Sequence, residues 1–252
     1  MKRALTCLLA LTAAFSGARS VRAEEFTRRS YTLPHGSFEI TGEPARPKIL
    51  GIGFSNNNAG KPVYLAPHFY WGATNSVTLG ITHDTGICFT RDPCDRVYND
   101  AGFGMLIAIA KAHDHDVNFH FGVPVGSFYD PFILGVKVGV LARINAGILA
   151  FVFDPFLYSG ITERDRGNQE TIVLPFWLYF QPVRFVAPFV GVSVQGPIRH
   201  FDDNYAIPVE GGVVFEVSDN VDLGAMLRFY NLLGKHGTVD GRELGMLARF
   251  RF

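Results

Sequence analysis

The sequence predicts an all-β fold, a transmembrane antiparallel up-and-down β-barrel of about twelve strands, within a range of about ten to fourteen. Three observations lead there. Apolar side chains recur with period two along most of the chain. One face of each such segment is almost purely large and apolar, while the other carries glycine, small residues and isolated charges. Tight connections alternate with longer ones.

The first residues stand apart from this pattern. MKRALTCLLALTAAFSGARSVRA has a basic start (Lys2, Arg3), an apolar stretch over residues 4–15 and a close on Val21-Arg22-Ala23. That is the order of a secretory signal peptide over residues 1–23. Its apolar core is about a dozen residues, short of the roughly 20 a membrane-crossing helix needs. Cys7 lies inside that core rather than at a cleavage point, which argues against a lipid anchor. Removing it leaves 229 residues with 19 basic and 23 acidic side chains, a net charge of about −4 that makes nucleic acid a poor partner. Residues 24–46 fit no strand cleanly and are expected to form an N-terminal periplasmic or lumenal segment, with SFEIT an extra short strand or a piece lying in the lumen.

Residues 47–252 then divide into strands at about 47–55, 62–72, 75–83, 101–111, 116–126, 131–142, 145–155, 169–181, 184–195, 206–217, 220–231 and 242–252. In ETIVLPFWLYFQ, Ile172, Leu174, Phe176, Leu178 and Phe180 oppose Thr171, Val173, Pro175, Trp177, Tyr179 and Gln181. DVNFHFGVPVG, AIPVEGGVVFEV and NVDLGAMLRFYN repeat the form, whereas AGFGMLIAIAK and NAGILAFVF are apolar on both faces and rest on their neighbours. The strongest helical rival, PFILGVKVGVLARINAGILAFVFDPFLY, is interrupted by Lys137, Arg143 and Asn145. A soluble sandwich would turn its polar face outward. A membrane barrel reverses that, because lipid lies outside and polar groups lie within.

Connection lengths agree. The tight ones fall at 218–219, 182–183, 143–144, 112–115 and 73–74, and the other side holds LLGKHGTVDG, GPIRHFDDNY, YSGITERDRGNQ, SFYD, HDTGICFTRDPCDRVYND and NNNAGK. Cys88 and Cys94 share one of these longer loops, where a close pair in an exported protein predicts a local disulfide. The signal, the alternating strands and the closing LGMLARFRF resemble the Gram-negative outer-membrane β-barrel superfamily, as a small porin-like member at the level of class. That resemblance implies a place in the cell outer membrane, contact with its lipid, and Phe250 and Phe252 as the signal read by the barrel-assembly machinery. It leaves the oligomeric state open.

Function then depends on the lumen, since about eight strands are filled by side chains and 16 to 18 leave a channel. The inward candidates are His68, Tyr70, Asn118, His120, Lys137, Glu210, Glu216, Arg228 and Arg249, of both signs. Pairing across the turn after Val217 sets Glu210 opposite Arg228, and this pair with Arg249 is expected to narrow a pore. The expected function is a narrow passive pore for small solutes or a closed structural barrel. The alternative is an outer-membrane lipid-modifying hydrolase, which needs a nucleophile and histidine at the lipid face or rim. No close His-Ser pair marks one, so no catalytic residue, metal ligand or cofactor is assigned. HDHD (113–116), His83-Asp84, and His200 with Asp202 and Asp203 read as ordinary turn and loop polarity. Protein isolated from the envelope is expected to begin at Glu24, which N-terminal sequencing or intact mass checks.

Overall fold

The computed structural model describes residues 25–252 except 56–58, 91–95, 99, 130 and 236; the signal segment lies outside the described residues. No described helix is long and apolar enough to cross a membrane, a finding silent about strands. The strands do the crossing. They form one closed antiparallel barrel of twelve staves, several of them built from two pieces.

The first stave joins β1 (Phe38–Thr41) to β2 (Lys48–Phe54), and the second joins β3 (Ala59–Leu65) to β4 (His68–Thr74). The third is β5 (Val77–Thr82) followed by the short β6 (Ile87–Cys88). Three unbroken staves follow, β7 (Ala101–Ala112), β8 (His115–Ser127) and β9 (Ile133–Ala146). The seventh is split into β10 (Leu149–Phe153) and β11 (Phe156–Gly160). Its break falls at Asp154-Pro155, where proline has no N–H for the ladder, and the break leaves Asp154 buried. The last five are β12 (Thr171–Phe180), β13 (Val186–Pro197), β14 (Val209–Ser218), β15 (Val221–Asn231) and β16 (Thr238–Arg251), with the single turn α1 (Phe201–Asn204) in the connection before β14.

The faces fall as the alternation requires. On β12, Leu174 and Phe180 are exposed while Trp177 and Tyr179 are buried. Phe103, Ile109, Val190, Phe215, Leu227 and Met246 extend the same exposed apolar surface around the barrel. That surface is what an acyl-chain solvent selects.

Several boundaries differ from the sequence reading. The tight turn expected at 143–144 falls at 147–148 instead, because Arg143 and Ile144 remain in the ladder opposite Asp116 and His115, so β9 runs to Ala146 and the next strand starts at Leu149 rather than 145. β16 starts at Thr238, ahead of the expected 242. The wall starts at Phe38, ahead of the expected 47, because Glu39 and Ile40 pair with Arg251 and Phe250 on β16 while β1 also pairs with β4. Between its halves the stave leaves the wall over residues 42–47, an excursion that the alternation pattern does not encode. Ile87 and Cys88 return to the wall against Tyr64 and Leu65 instead of belonging to a free loop. Cys88 is buried there, and Cys94 lies outside the described residues. The split seventh stave continues to Gly160, past the expected end at 155.

The seam is closed by β16, which pairs with β2 along one half and β1 along the other. Where the first stave departs, Ala248 N–H donates to Pro47 O at 2.8 Å, and at the terminus Phe38 and Phe252 exchange backbone bonds at 3.1 and 2.9 Å. The segment before β1 is fastened to the wall at Gly72, whose N–H donates to Ser37 O and whose carbonyl accepts from Gly36. A Cβ on Gly72 would lie 2.0 Å from Pro34 O, so only glycine permits this approach. Gly72→Ala is expected to displace the 33–37 turn and lower stability by about 1–3 kcal/mol, the range for forced overpacking, read by urea unfolding in lipid vesicles.

Candidate functional site in the lumen

The lumen is occupied by the chain's own N-terminal segment, in two layers. The outer layer lies across the tight-turn end. After the 3-10 turn Phe26–Arg28, it touches one connection after another. Thr27 binds Gln181 through its amide at 3.1 Å and its hydroxyl at 2.6 Å. Arg28 reaches His113 at 3.1 Å. The Tyr31 amide donates to Asp116 at 2.7 Å, the Leu33 amide to Thr78 at 2.7 Å, and the His35 amide to Asn75 at 3.0 Å. A segment without regular structure must place its backbone donors somewhere, and inward-facing strand side chains receive them.

The inner layer is residues 42–47. Gly42 turns the chain off the wall, where a Cβ would sit 2.1 Å from Lys48 O. Tyr179 Oη then donates to Ala45 O at 2.9 Å, and Arg249 donates to Pro44 O at 3.0 Å. Phe26 and Ala45 join Leu141, Val152, Trp177, Tyr179 and Phe189 in one apolar cluster. The barrel interior at this level is therefore a packed core rather than a water column.

Charge holds both layers in register. Arg29 pairs with Asp222 at 2.6 Å and Glu216 at 3.0 Å, all three side chains at most 3% exposed. The Arg143 guanidinium donates to the carbonyls of Arg28, at 2.8 Å, and Arg29. Glu39 is bound by Arg251 and lies 3.6 Å from Arg249. Arg46 meets Glu210 at 2.6 Å and Glu43 at 3.0 Å. At the seam, Lys48 meets Glu243 at 2.7 Å, and Tyr64 and Tyr230 both donate to the same carboxylate, Tyr64 at 2.5 Å. Breaking one buried pair is far costlier than its net worth, because the orphaned charge has lost its water.

On the long-loop side of residues 42–47 a cavity of ≈140 Å³ remains. Glu43 and Arg46 contribute from the inner layer, and Lys137, Asp154, Glu210 and Arg228 from the wall, together with Phe156, Pro175, Trp177 and Ser193. It is a mixed-charge vestibule above a closed floor.

The predicted residues are distributed as follows. His68 and Tyr70 are buried and meet at 3.1 Å, with His68 also 2.8 Å from His83 O. Asn118 donates to Asp116 at 2.8 Å, and His120 meets Asp154 at 2.9 Å. Lys137 lines the vestibule 3.8 Å from Asp154. Glu210 and Arg228 are directly opposite in the ladder, 3.7 Å apart. Glu216 serves Arg29. Arg249 does not join the Glu210–Arg228 pair as expected; it stands opposite Asp222 and near Glu39 and Pro44, because the inner layer lies in between. Phe250 pairs with Ile40 and Val221, and Phe252 is exposed. In the HDHD turn, His113 contacts Asp114 at 2.9 Å while Asp116 serves Tyr31 and Asn118. No group of three or more candidate metal ligands occurs among the described residues. The alternation in ELGMLARFRF did turn Glu243 inward, but sequence reasoning missed Arg29, Glu39, Arg46 and Lys48. Their signal was weak: Glu39 alternates with Phe38 and Ile40 in SFEIT, but no local pattern reveals the partners of the others.

No protein-family model matches the chain. No curated protein sequence matches it. Among solved structures, a NanC porin matches with a TM-score of 0.54 at 9% identity, covering 80% of this chain and 97% of that one. A loop L8 deletion mutant of OmpT, an outer membrane protein of Vibrio cholerae, gives 0.46 at 8% identity over 86% and 98%. Salmonella typhi OmpF in complex with daunomycin gives 0.40 at 12% identity over 75% and 62%. At these identities the likeness is one of fold, shared with outer-membrane β-barrels.

Arg29→Met is expected to lower stability by about 3–5 kcal/mol by stranding Asp222 and leaving Glu216 only its 3.4 Å contact with Arg184. The double variant with Asp222→Asn should lose less than the sum of the singles, measured by urea unfolding in vesicles.

Proposed function

Starting from an outer-membrane β-barrel, we propose that this protein works as a closed barrel, sealed toward the periplasm by its own N-terminal segment and open toward the cell exterior only as a shallow vestibule. The observation that supports this reading is the Arg29–Asp222 and Arg46–Glu210 interlock, which anchors one layer of the segment at the tight-turn end and the other at mid-lumen. A wet pore would leave the lumen charges to water. Here Asp222, Glu216 and Glu210 are paired with Arg29 and Arg46 of the segment, and Leu141, Val152 and Val214 share one apolar cluster with its Phe26 and Ala45. The tight turns are assigned to the periplasm and the longer loops to the exterior, as in barrels of this class. On the same reading, Phe250 and Phe252 present the assembly signal, and a Cys88–Cys94 disulfide clips the loop after β6.

The hydrolase alternative calls for a nucleophile and base at the lipid face or rim. The His120–Asp154 pair is buried inside the lumen, and the exposed His113–Asp114 pair, also at 2.9 Å, has its other ring nitrogen against Arg28, so neither lends it support. Product analysis after incubation with phospholipid tests it directly.

In planar bilayers the intact protein is expected to be silent or nearly so. Deletion of residues 25–36 combined with replacement of residues 43–46 by glycine and serine, which removes the outer layer and the inner floor, should produce stable conductance steps. Porin-like steps from the intact protein would overturn the closed-barrel reading.

A further inference from the structure

The vestibule holds three cations and three anions, but they are not equally engaged. Each acid is occupied. Glu210 accepts from Arg46 at 2.6 Å and from Trp177 Nε1 at 2.5 Å. Asp154 meets His120 at 2.9 Å, and Glu43 accepts from Arg46 at 3.0 Å. Lys137 and Arg228 are in a different position. Lys137 Nζ has three donors to place, yet its nearest carboxylate oxygen is 3.8 Å away and its other neighbour is the Phe156 ring at 3.9 Å. Arg228 lies 3.7 Å from Glu210, beyond hydrogen-bond length, and its buried Nε has no acceptor. Ser193, 8% exposed, lines the same cavity with an unpartnered Oγ. Donors outnumber free acceptors there.

We propose that this vestibule binds a small organic anion, its carboxylate or phosphate received by Lys137, Arg228 and Ser193 and its apolar body lying against Phe156, Pro175 and Pro208. Charge-assisted bonds from ammonium and guanidinium are the strong class, and the acids nearest these two cations, Asp154 at 3.8 Å and Glu210 at 3.7 Å, stand beyond direct hydrogen-bond length. A volume of ≈140 Å³, against about 10–15 Å³ for one water, admits a ligand of roughly ten non-hydrogen atoms. The proposal rests on the seated inner layer, since Arg46 both forms the floor and neutralises Glu210.

Trp177 lines the cavity, and the only other tryptophan, Trp71, is exposed on the barrel surface. Folded Trp71→Phe protein therefore carries a single fluorescent reporter at the site. Titrated with benzoate and with phenyl phosphate, it should give a saturable change; the relative affinities identify the preferred head group. Neutral benzamide should bind at least about tenfold more weakly, and Lys137→Gln and Arg228→Gln should each weaken the anions about tenfold. Equal binding of benzamide and benzoate, silence toward both anions, or unaltered affinity in both variants overturns the proposal. The benzamide comparison needs no pocket variant, so a misfolded variant cannot decide the matter. A non-conducting barrel that ignores both anions would overturn the site and leave the closed-barrel reading standing; an intact protein that binds them and conducts would overturn only the latter.

Discussion

A strand in hydrocarbon has no water to meet its peptide groups, so every N–H and C=O in the wall needs a partner from the protein. That constraint makes the seam decisive. One strand, β16, supplies the edge for two separate pieces of chain, β2 and β1, and the bond from Ala248 to Pro47 bridges the place where the first stave departs inward. The excursion of residues 42–47 is possible only because β16 stays continuous behind it.

The interior follows from that excursion. Once a loop is drawn into the lumen it carries charge and backbone polarity out of water, and these must be matched there. Arg46 finds Glu210, while Pro44 O and Ala45 O find Arg249 and Tyr179. The arrangement does not require unusual stability from any one pair. It requires that no member be removed alone, which is how ionic networks specify one arrangement over its competitors.

The staves were legible because alternation is local: Ile172 to Phe180 announce an outward face without reference to anything distant in sequence. The register of Glu210 against Arg228 followed from one turn. The lumen network was not legible, since Arg29 and Asp222, or Arg46 and Glu210, are 193 and 164 residues apart in sequence, and no periodicity links them. SFEIT was ambiguous because five residues are too few to distinguish a strand from a loop. Asp154 was hidden for a related reason: its role comes from the break at Asp154-Pro155, which reads in sequence as the end of a strand.

The bonds between Phe38 and Phe252 join the head of the wall to the residue that follows β16. As a condition on assembly rather than on shape, this ties the settling of the first stave to the docking of β16. Until β16 arrives, β1 and β2 have no outer neighbour at the seam, and Glu39 and Lys48 lack the Arg251 and Glu243 that receive them. Sealing the lumen and completing the wall thus depend on the same strand, and a wall lacking β16 would be left with an open edge and an unseated interior together.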